Sequence, residues 1–280
     1  MPLFPIDSND YKEIGKTGEK VLAIGLGTWD IHKYEKAERV FVKAIEHGVN
    51  LIDTAEMYDS GRAEEFVGRV IKLVGRDRVF ITTKMLPEHL RSPDEVLKAG
   101  RMSLKRLGVN YVDLFLIHWP NYSISISEQV RNFEVLYSEG LARYIGVSNF
   151  NISELDEAIH ATRRAEIVVN QVHYSILYRK PERYLLSYAI EHGVTIQAYT
   201  PIERGKVRFN RHVRKIAKKL NKTTIQIALN YLISRPRVVA IPKTERFRHL
   251  RDILGSLGWR MPQEDLEYLE ENVKQLLWFL

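Results

Sequence analysis

Phe115-Leu116-Ile117-His118-Trp119-Pro120 is the stretch on which the reading of this chain turns. Residues 113–117 are apolar after their first member and read as a buried strand. The run stops at an imidazole, an indole and a proline. Proline lacks the N–H that a strand ladder needs, so pairing ends there. A buried strand thus delivers His118 and Trp119 to its own carboxyl end.

Outward from this strand the chain alternates. An N-terminal hairpin is expected first, with strands at 11–14 and 21–26 around the turn Lys16-Thr17-Gly18-Glu19. Helical spacing of apolar residues then predicts helices at 35–47, 63–73, 93–107, 127–138 (Ser127 read as its cap), 153–162, 181–191, 212–220, 224–234 and 263–274. Strands are expected between them at 50–53, 79–83, 144–147, 167–171, 194–198 and 238–241. The phrases EHGVN at Glu46 and EHGVT at Glu191 mark the same helix-to-strand turn, with glycine after the helix end.

No Pro/Gly/Ser-rich linker divides the alternation, so residues 1–280 read as one α/β domain, a (β/α)8 TIM barrel with an N-terminal β-hairpin. The rival is an open doubly wound sheet with a dinucleotide at a glycine-rich first turn. Gly25-Leu26-Gly27 is the nearest such turn, but it lacks the third glycine and follows a hairpin.

Composition narrows the function. Without cysteine there is no disulfide framework and no thiolate metal site, and no metal is expected. The start MPLFPIDSNDYKEIG lacks the basic-then-apolar order of a signal peptide, and no window is long and apolar enough for a membrane span. A cytoplasmic protein fits. The net charge of +7 reads as a solvated basic surface, with cations interspersed among acids and no nucleic-acid motif.

In a parallel barrel, active sites lie at the carboxyl ends of the strands. Those ends carry Asp53 with Tyr58 in its loop, Lys84, His118, Ser148 with Asn149, Gln171, Tyr199 and Lys243. Each has a structural explanation alone: a turn cap, packing, a solvated amine, a bonded histidine. Four ionisable groups at adjacent strand ends must instead form a network, because unpaired ions near a core are costly. Carbonyl reduction suits the set. Negative charge builds on the carbonyl oxygen, and a proton must reach it. A phenol is a poor acid unless its anion is stabilised, so Lys84 is expected to lower the Tyr58 pKa, with Asp53 holding Lys84 and His118 bonding the carbonyl. The hydride needs a cofactor.

Eight motifs then agree: GLGTW at Gly25, LIDTAEMYDSG at Leu51, TTK at Thr82, DLFLIHWP at Asp113, GVSNF at Gly146, NQVHY at Asn170, QAYTPI at Gln197 and AIPK at Ala240. In this order, across nearly the whole chain, they resemble the aldo-keto reductases, most of all the short prokaryotic members. The resemblance implies a catalytic tetrad of Asp53, Tyr58, Lys84 and His118, with Tyr58 as proton donor. Relatives that reduce carbon–carbon double bonds carry glutamate at the His118 position, so the carbonyl-reducing type is implied.

It also implies an extended nicotinamide cofactor, with contacts at Gly27, Thr28, Trp29 and Asp53. Ser148, Asn149 and Gln171 would bind the carboxamide, Tyr199 would stack under the ring, and Thr200, Pro201, Ile202 and Glu203 would follow the pyrophosphate. Lys243 and Thr244 match the family's adenosine-phosphate end. Its frequent arginine falls on His249, and its adenine-contacting acid and asparagine fall on Asp252 and Ile253. NADP(H) is therefore expected as preferred, with NAD(H) also used. Trp29, Tyr58, His118, Trp119 and Tyr122 would wall a substrate pocket. A small-molecule carbonyl partner is expected for a monomer or weak homodimer, with no nucleic acid or membrane. A cofactor-binding regulatory module of the same fold is the alternative. An unrelated barrel enzyme is the third reading; a glycosidase would need two carboxylic acids flanking the bond.

Overall fold

The alternation folds as a parallel sheet rolled on itself, seen in a computed structural model that describes residues 1–275. Strands β1 (Tyr11–Glu13) and β2 (Lys20–Leu22) form the expected antiparallel hairpin. Eight parallel strands follow: β3 (Leu26–Gly27), β4 (Leu51–Asp53), β5 (Phe80–Met85), β6 (Val112–Ile117), β7 (Ala142–Ser148), β8 (Ile167–His173), β9 (Thr195–Tyr199) and β10 (Val238–Ala240). Neighbours in sequence are neighbours in the sheet. The two edges then meet. Ala240 N–H donates to Ala23 O and Gly25 N–H to Ala240 O, each at 2.9 Å, and Gly27 N–H donates to Pro242 O at 3.1 Å. A barrel without free edges results.

The helices are α1 (Tyr34–Glu46), α2 (Arg62–Val74), α3 (Pro93–Leu107), α4 (Ile126–Phe133), α5 (Val135–Ser138), α6 (Ile152–Ala161), α7 (Leu185–His192), α8 (Arg211–Lys219), α9 (Thr224–Ile233), α10 (Phe247–Leu254) and α11 (Gln263–Asn272). Their apolar stripes pack on the outer faces of the strands. In α1, for example, Ala37, Val40, Phe41, Ala44 and Ile45 are the buried set. The barrel interior is filled separately by Leu51, Phe80, Leu114, Leu116, Val169, Val239 and Ile241. The hairpin contributes Ile14 and Val21 to the same cluster and plugs one end.

Three local expectations are corrected, and one helix is added. The run 21–26 is not one hairpin strand: β2 ends at Leu22, and β3 is the first barrel strand. Gly25 permits the change of partner, because a Cβ there would lie 2.7 Å from the Leu51 side chain. The cap of α4 is Ser125, whose hydroxyl accepts from Glu128 N–H at 3.1 Å; Ser127 Oγ instead donates to Glu157 at 2.8 Å. The expected helix at 181–191 opens as a 3-10 turn (Lys180–Arg183) before α7. Helix α10 was not foreseen, although Phe247, Leu250 and Leu254 have helical spacing. The apolar tail at 276–280, which in the sequence offers a packing plug or an association surface as one alternative, lies outside the described residues.

Candidate active site

Strand alternation decides which side chains reach the barrel mouth. Leu51, Phe80, Leu116 and Val169 point inward, and residues an even number of steps further along the same strands point inward too. Those residues are Asp53, Lys84, His118 and Gln171. The strand register then sets their neighbours, with Asp53 opposite Thr82 and Lys84 opposite Leu116. Gly146 keeps β7 close to β8, since a Cβ there would meet Val169 O at 2.7 Å.

The ammonium of Lys84 is fully buried and has three partners. It donates to Asp53 Oδ2 at 2.8 Å, to Thr54 O at 2.8 Å and to the Tyr58 hydroxyl at 2.9 Å. Gln171 Nε2 reaches Asp53 Oδ1 at 2.7 Å and Gln197 Oε1 at 2.9 Å. Tyr58 sits in a short 3-10 turn whose next two residues, Asp59 and Ser60, have left-handed backbone angles. Asp59 is tied there by Tyr34 Oη at 2.8 Å and by Arg62. The His118 ring lies 5.7 Å from the Tyr58 ring and 4.4 Å from that of Trp119, centroid to centroid.

Burial and charge set the protonation states. Burial favours the neutral amine of Lys84, but the Asp53 carboxylate and the Tyr58 phenol outweigh it and hold the ammonium charged. Burial raises the Asp53 carboxyl, against Lys84 and Gln171. Burial, and then the Lys84 charge, depress His118 to about 3, so its imidazole is neutral at physiological pH. The expected net lowering of Tyr58 does not occur. Lys84 does pull the phenol down, but desolvation outweighs it and the phenol rises above its ordinary value. A neutral phenol beside a cation holds its proton and has a partner ready for the anion.

An elongated cleft of about 790 Å³ opens over this network. Of the expected cofactor and pocket residues, it is lined by Gly27, Trp29, Asp53, Tyr58, His118, Trp119, Ser148, Asn149, Gln171, Tyr199, Thr200, Pro201, Ile202, Lys243, His249 and Asp252. Asn149 Nδ2 donates to His118 O at 3.0 Å, and Tyr199 Oη donates to Asn149 Oδ1 at 2.9 Å, which fixes the phenol ring on the cleft wall. Behind it stack His173 and Tyr178, parallel to within 12° and 7°.

Five expected residues are placed elsewhere. Lys84 lies beneath the lining, behind Asp53 and Tyr58. Thr28 is buried beside the cleft. Glu203 turns inward to His173 Nε2 at 2.7 Å and Ser175 Oγ at 2.6 Å. Thr244 is buried, and its hydroxyl accepts from Arg246 N–H at 3.1 Å. Tyr122 is 82% exposed, bonds Glu154 and does not line the cleft, which corrects its place in the pocket. Its loop position after Pro120 gave no information on side-chain direction.

Other lining residues were missed: Met57, Arg204, Arg208, Thr223, Thr224 and Ile225. Arg204 lies over the Trp29 ring at 4.6 Å. A charge pattern was present in the sequence: every Asp, Glu, Lys or Arg from Arg204 through Lys243 is cationic. This corrects the reading of cations interspersed among acids.

The model of the aldo/keto reductase family matches residues 23–274. The chain belongs to the aldo/keto reductase family. Among its relatives is the methylglyoxal reductase YeaE of Escherichia coli, 32% identical over 258 residues, covering 89% of this chain and 90% of that protein. Among solved structures, this reductase superposes on the thermostable aldo-keto reductase Tm1743, solved with the inhibitor epalrestat, with TM-score 0.88 and 41% identity over 93% of this chain and 98% of the other. It also superposes on an aldo/keto reductase of Klebsiella pneumoniae, solved with NADP and acetate, with TM-score 0.87 and 31% identity over 96% of each chain.

Proposed function

We propose that this aldo/keto reductase converts small aldehydes and ketones to alcohols, reversibly, with NADP(H) preferred and NAD(H) also accepted. The observation that carries the reading is the Lys84 ammonium, bonded at once to Asp53 and to the Tyr58 hydroxyl beneath a cleft that also presents His118.

When bound, the cofactor supplies the hydride. Everything else falls to the chain. Tyr58 gives its phenolic proton to the carbonyl oxygen, and Lys84 stabilises the phenolate left behind. Asp53 and Thr54 O hold Lys84 in place. His118, neutral, donates one N–H to the carbonyl oxygen and orients the substrate. In the alcohol-oxidising direction the same proton returns to Tyr58.

The donor set of the cleft fits a nicotinamide dinucleotide. Ser148, Asn149 and Gln171 offer amide and hydroxyl groups for a carboxamide, and Tyr199 offers a neutral ring platform, its phenol raised by burial to about 12. Lys243, Arg204 and Arg208 offer positive charge for phosphates. Trp29, Met57 and Trp119 leave an apolar wall for the substrate. Small 2-oxoaldehydes are the first substrates to try, because relatives are named methylglyoxal and glyoxal reductases. A cytoplasmic enzyme, monomeric or weakly dimeric, completes the proposal; among the described residues no helix is long and apolar enough to cross a membrane.

The test is the loss of reduced-nicotinamide absorbance with NADPH and then NADH, against methylglyoxal and a panel of aldehydes and ketones. Turnover abolished by Tyr58→Phe supports the proposal. Tight NADPH binding with no turnover of any carbonyl would replace it with the regulatory-module reading.

A further inference from the structure

At the far end of the cleft, Lys243 does not face solvent alone. Its ammonium donates to Glu245 Oε1 at 2.7 Å. The same oxygen accepts the backbone N–H of His32 at 3.0 Å, and Oε2 accepts that of Lys33 at 3.2 Å. Lys33 is the N-cap of α1 and has no side-chain cap of its own. Two backbone amides leading into α1, beside an ammonium, make a place for an anion. Here a carboxylate of the chain itself already fills it. The Glu245 side chain is only 14% exposed, and Lys243 is the charged side chain that holds it.

We propose that Glu245 is a resident anion that competes with the cofactor's adenosine phosphate for Lys243, and so sets how strongly this chain prefers phosphorylated over unphosphorylated cofactor. The inference rests on the cofactor reading above. A phosphate that approaches Lys243 meets Glu245 in one of two ways. Either the carboxylate stays and repels it, or the carboxylate leaves its ammonium and two amides. Both weaken phosphate binding, and neither affects a cofactor without that phosphate. Protonation offers no escape at neutral pH. Burial alone would raise the Glu245 carboxyl, but Lys243 and the His32 and Lys33 amides hold it below its ordinary value. This gives a physical reason for a relaxed preference that does not depend on His249 standing where arginine is frequent.

The experiment is equilibrium binding of NADPH, NADH, 2′,5′-ADP and 5′-AMP, followed by quenching of tryptophan fluorescence and by calorimetry, in the wild type, Glu245→Gln and Lys243→Met/Glu245→Gln. The expected result is that Glu245→Gln tightens NADPH and 2′,5′-ADP by about three- to tenfold, with NADH and 5′-AMP changed less than about twofold. The gain should vanish in the double variant, because the ammonium is then missing. Equal changes for all four ligands would overturn the proposal, since Glu245 would then only organise the 30–33 loop. No change on Glu245→Gln, or weaker NADPH binding, would overturn it as well. A wild type that binds none of the four overturns the cofactor reading itself, and this inference with it. A thermal melt of each variant identifies any general loss of fold.

Discussion

Lys84 and Tyr58 touch twice: the ammonium is 2.9 Å from the phenolic oxygen and 4.6 Å from the centre of the ring. Both contacts favour a phenolate over a neutral phenol more than the bare hydrogen bond would. Lys84→Met should therefore lower kcat by about 100- to 10,000-fold. It should also destabilise the fold by about 3–5 kcal/mol, because Asp53 would be left buried and unpaired. Asp53→Asn in the same chain should restore most of the stability and none of the rate. Steady-state kinetics and urea melts of the two variants check this.

His118 gives a pH dependence of defined sign. The unfolded chain takes up a proton on this residue near pH 6.5, whereas the folded chain resists until about 3, owing to burial and then to Lys84. The contribution to stability is thus complete above the unfolded value. It is lost as pH falls from about 6.5 toward 3, at up to about 1.4 kcal/mol per pH unit. Urea midpoints at pH 7 and pH 5 should fall further apart in the wild type than in His118→Gln. The rate of carbonyl reduction should show no limb near pH 6.5; a histidine limb there would contradict a neutral imidazole.

Arg204 over Trp29 bridges the two rims of the cleft. A cation over an exposed indole contributes about 0.5–1 kcal/mol. Arg204→Met should accordingly speed NADPH release about two- to fivefold, read from the recovery of tryptophan fluorescence in stopped flow. An unchanged release rate would mean that the bridge does not span the bound cofactor.

The cationic run that begins at Arg204 continues onto α8, where Arg211, Arg214, Lys215 and Lys218 share one exposed face. Such a field raises the capture rate of an anion and is screened by salt. NADPH association should slow as ionic strength rises. Arg214→Glu/Lys218→Glu should slow it several-fold at low salt, with the dissociation rate unchanged. A change confined to dissociation would mean direct contact instead.

Gly146 is held to glycine by two neighbours, Val169 O at 2.7 Å and Leu116 Cδ2 at 2.8 Å from an added Cβ. Gly146→Ala should cost about 1–3 kcal/mol and disturb Ser148, two residues further along the same strand. Loss of stability with normal cofactor affinity would show that β7 shifts without moving Ser148.

Much of this was legible along the chain. The apolar run of β6, stopped by Pro120, and the regular return of strand and helix carry the barrel. Alternation within each strand then sends Asp53, Lys84, His118 and Gln171 to one mouth. Both signals are local, because period-two and period-3.6 patterns need only near neighbours. Less was legible where direction or partner depends on distant chain. Tyr122 turns outward to Glu154, and Glu203 turns inward to His173. Gln197 joins the Asp53 network through Gln171, a partner on the neighbouring strand that its own strand does not reveal.

The sequence by itself determined the order of the elements, the parallel barrel and which polar residues end its strands. Only the tertiary structure decided that the Tyr58 phenol is raised despite Lys84, that Arg204 reaches Trp29, and that Glu245 occupies the amides of His32 and Lys33. The reason is physical. Desolvation and pairing between remote segments depend on how deeply a group is buried and on what closes over it, and both arise only when the sheet rolls shut.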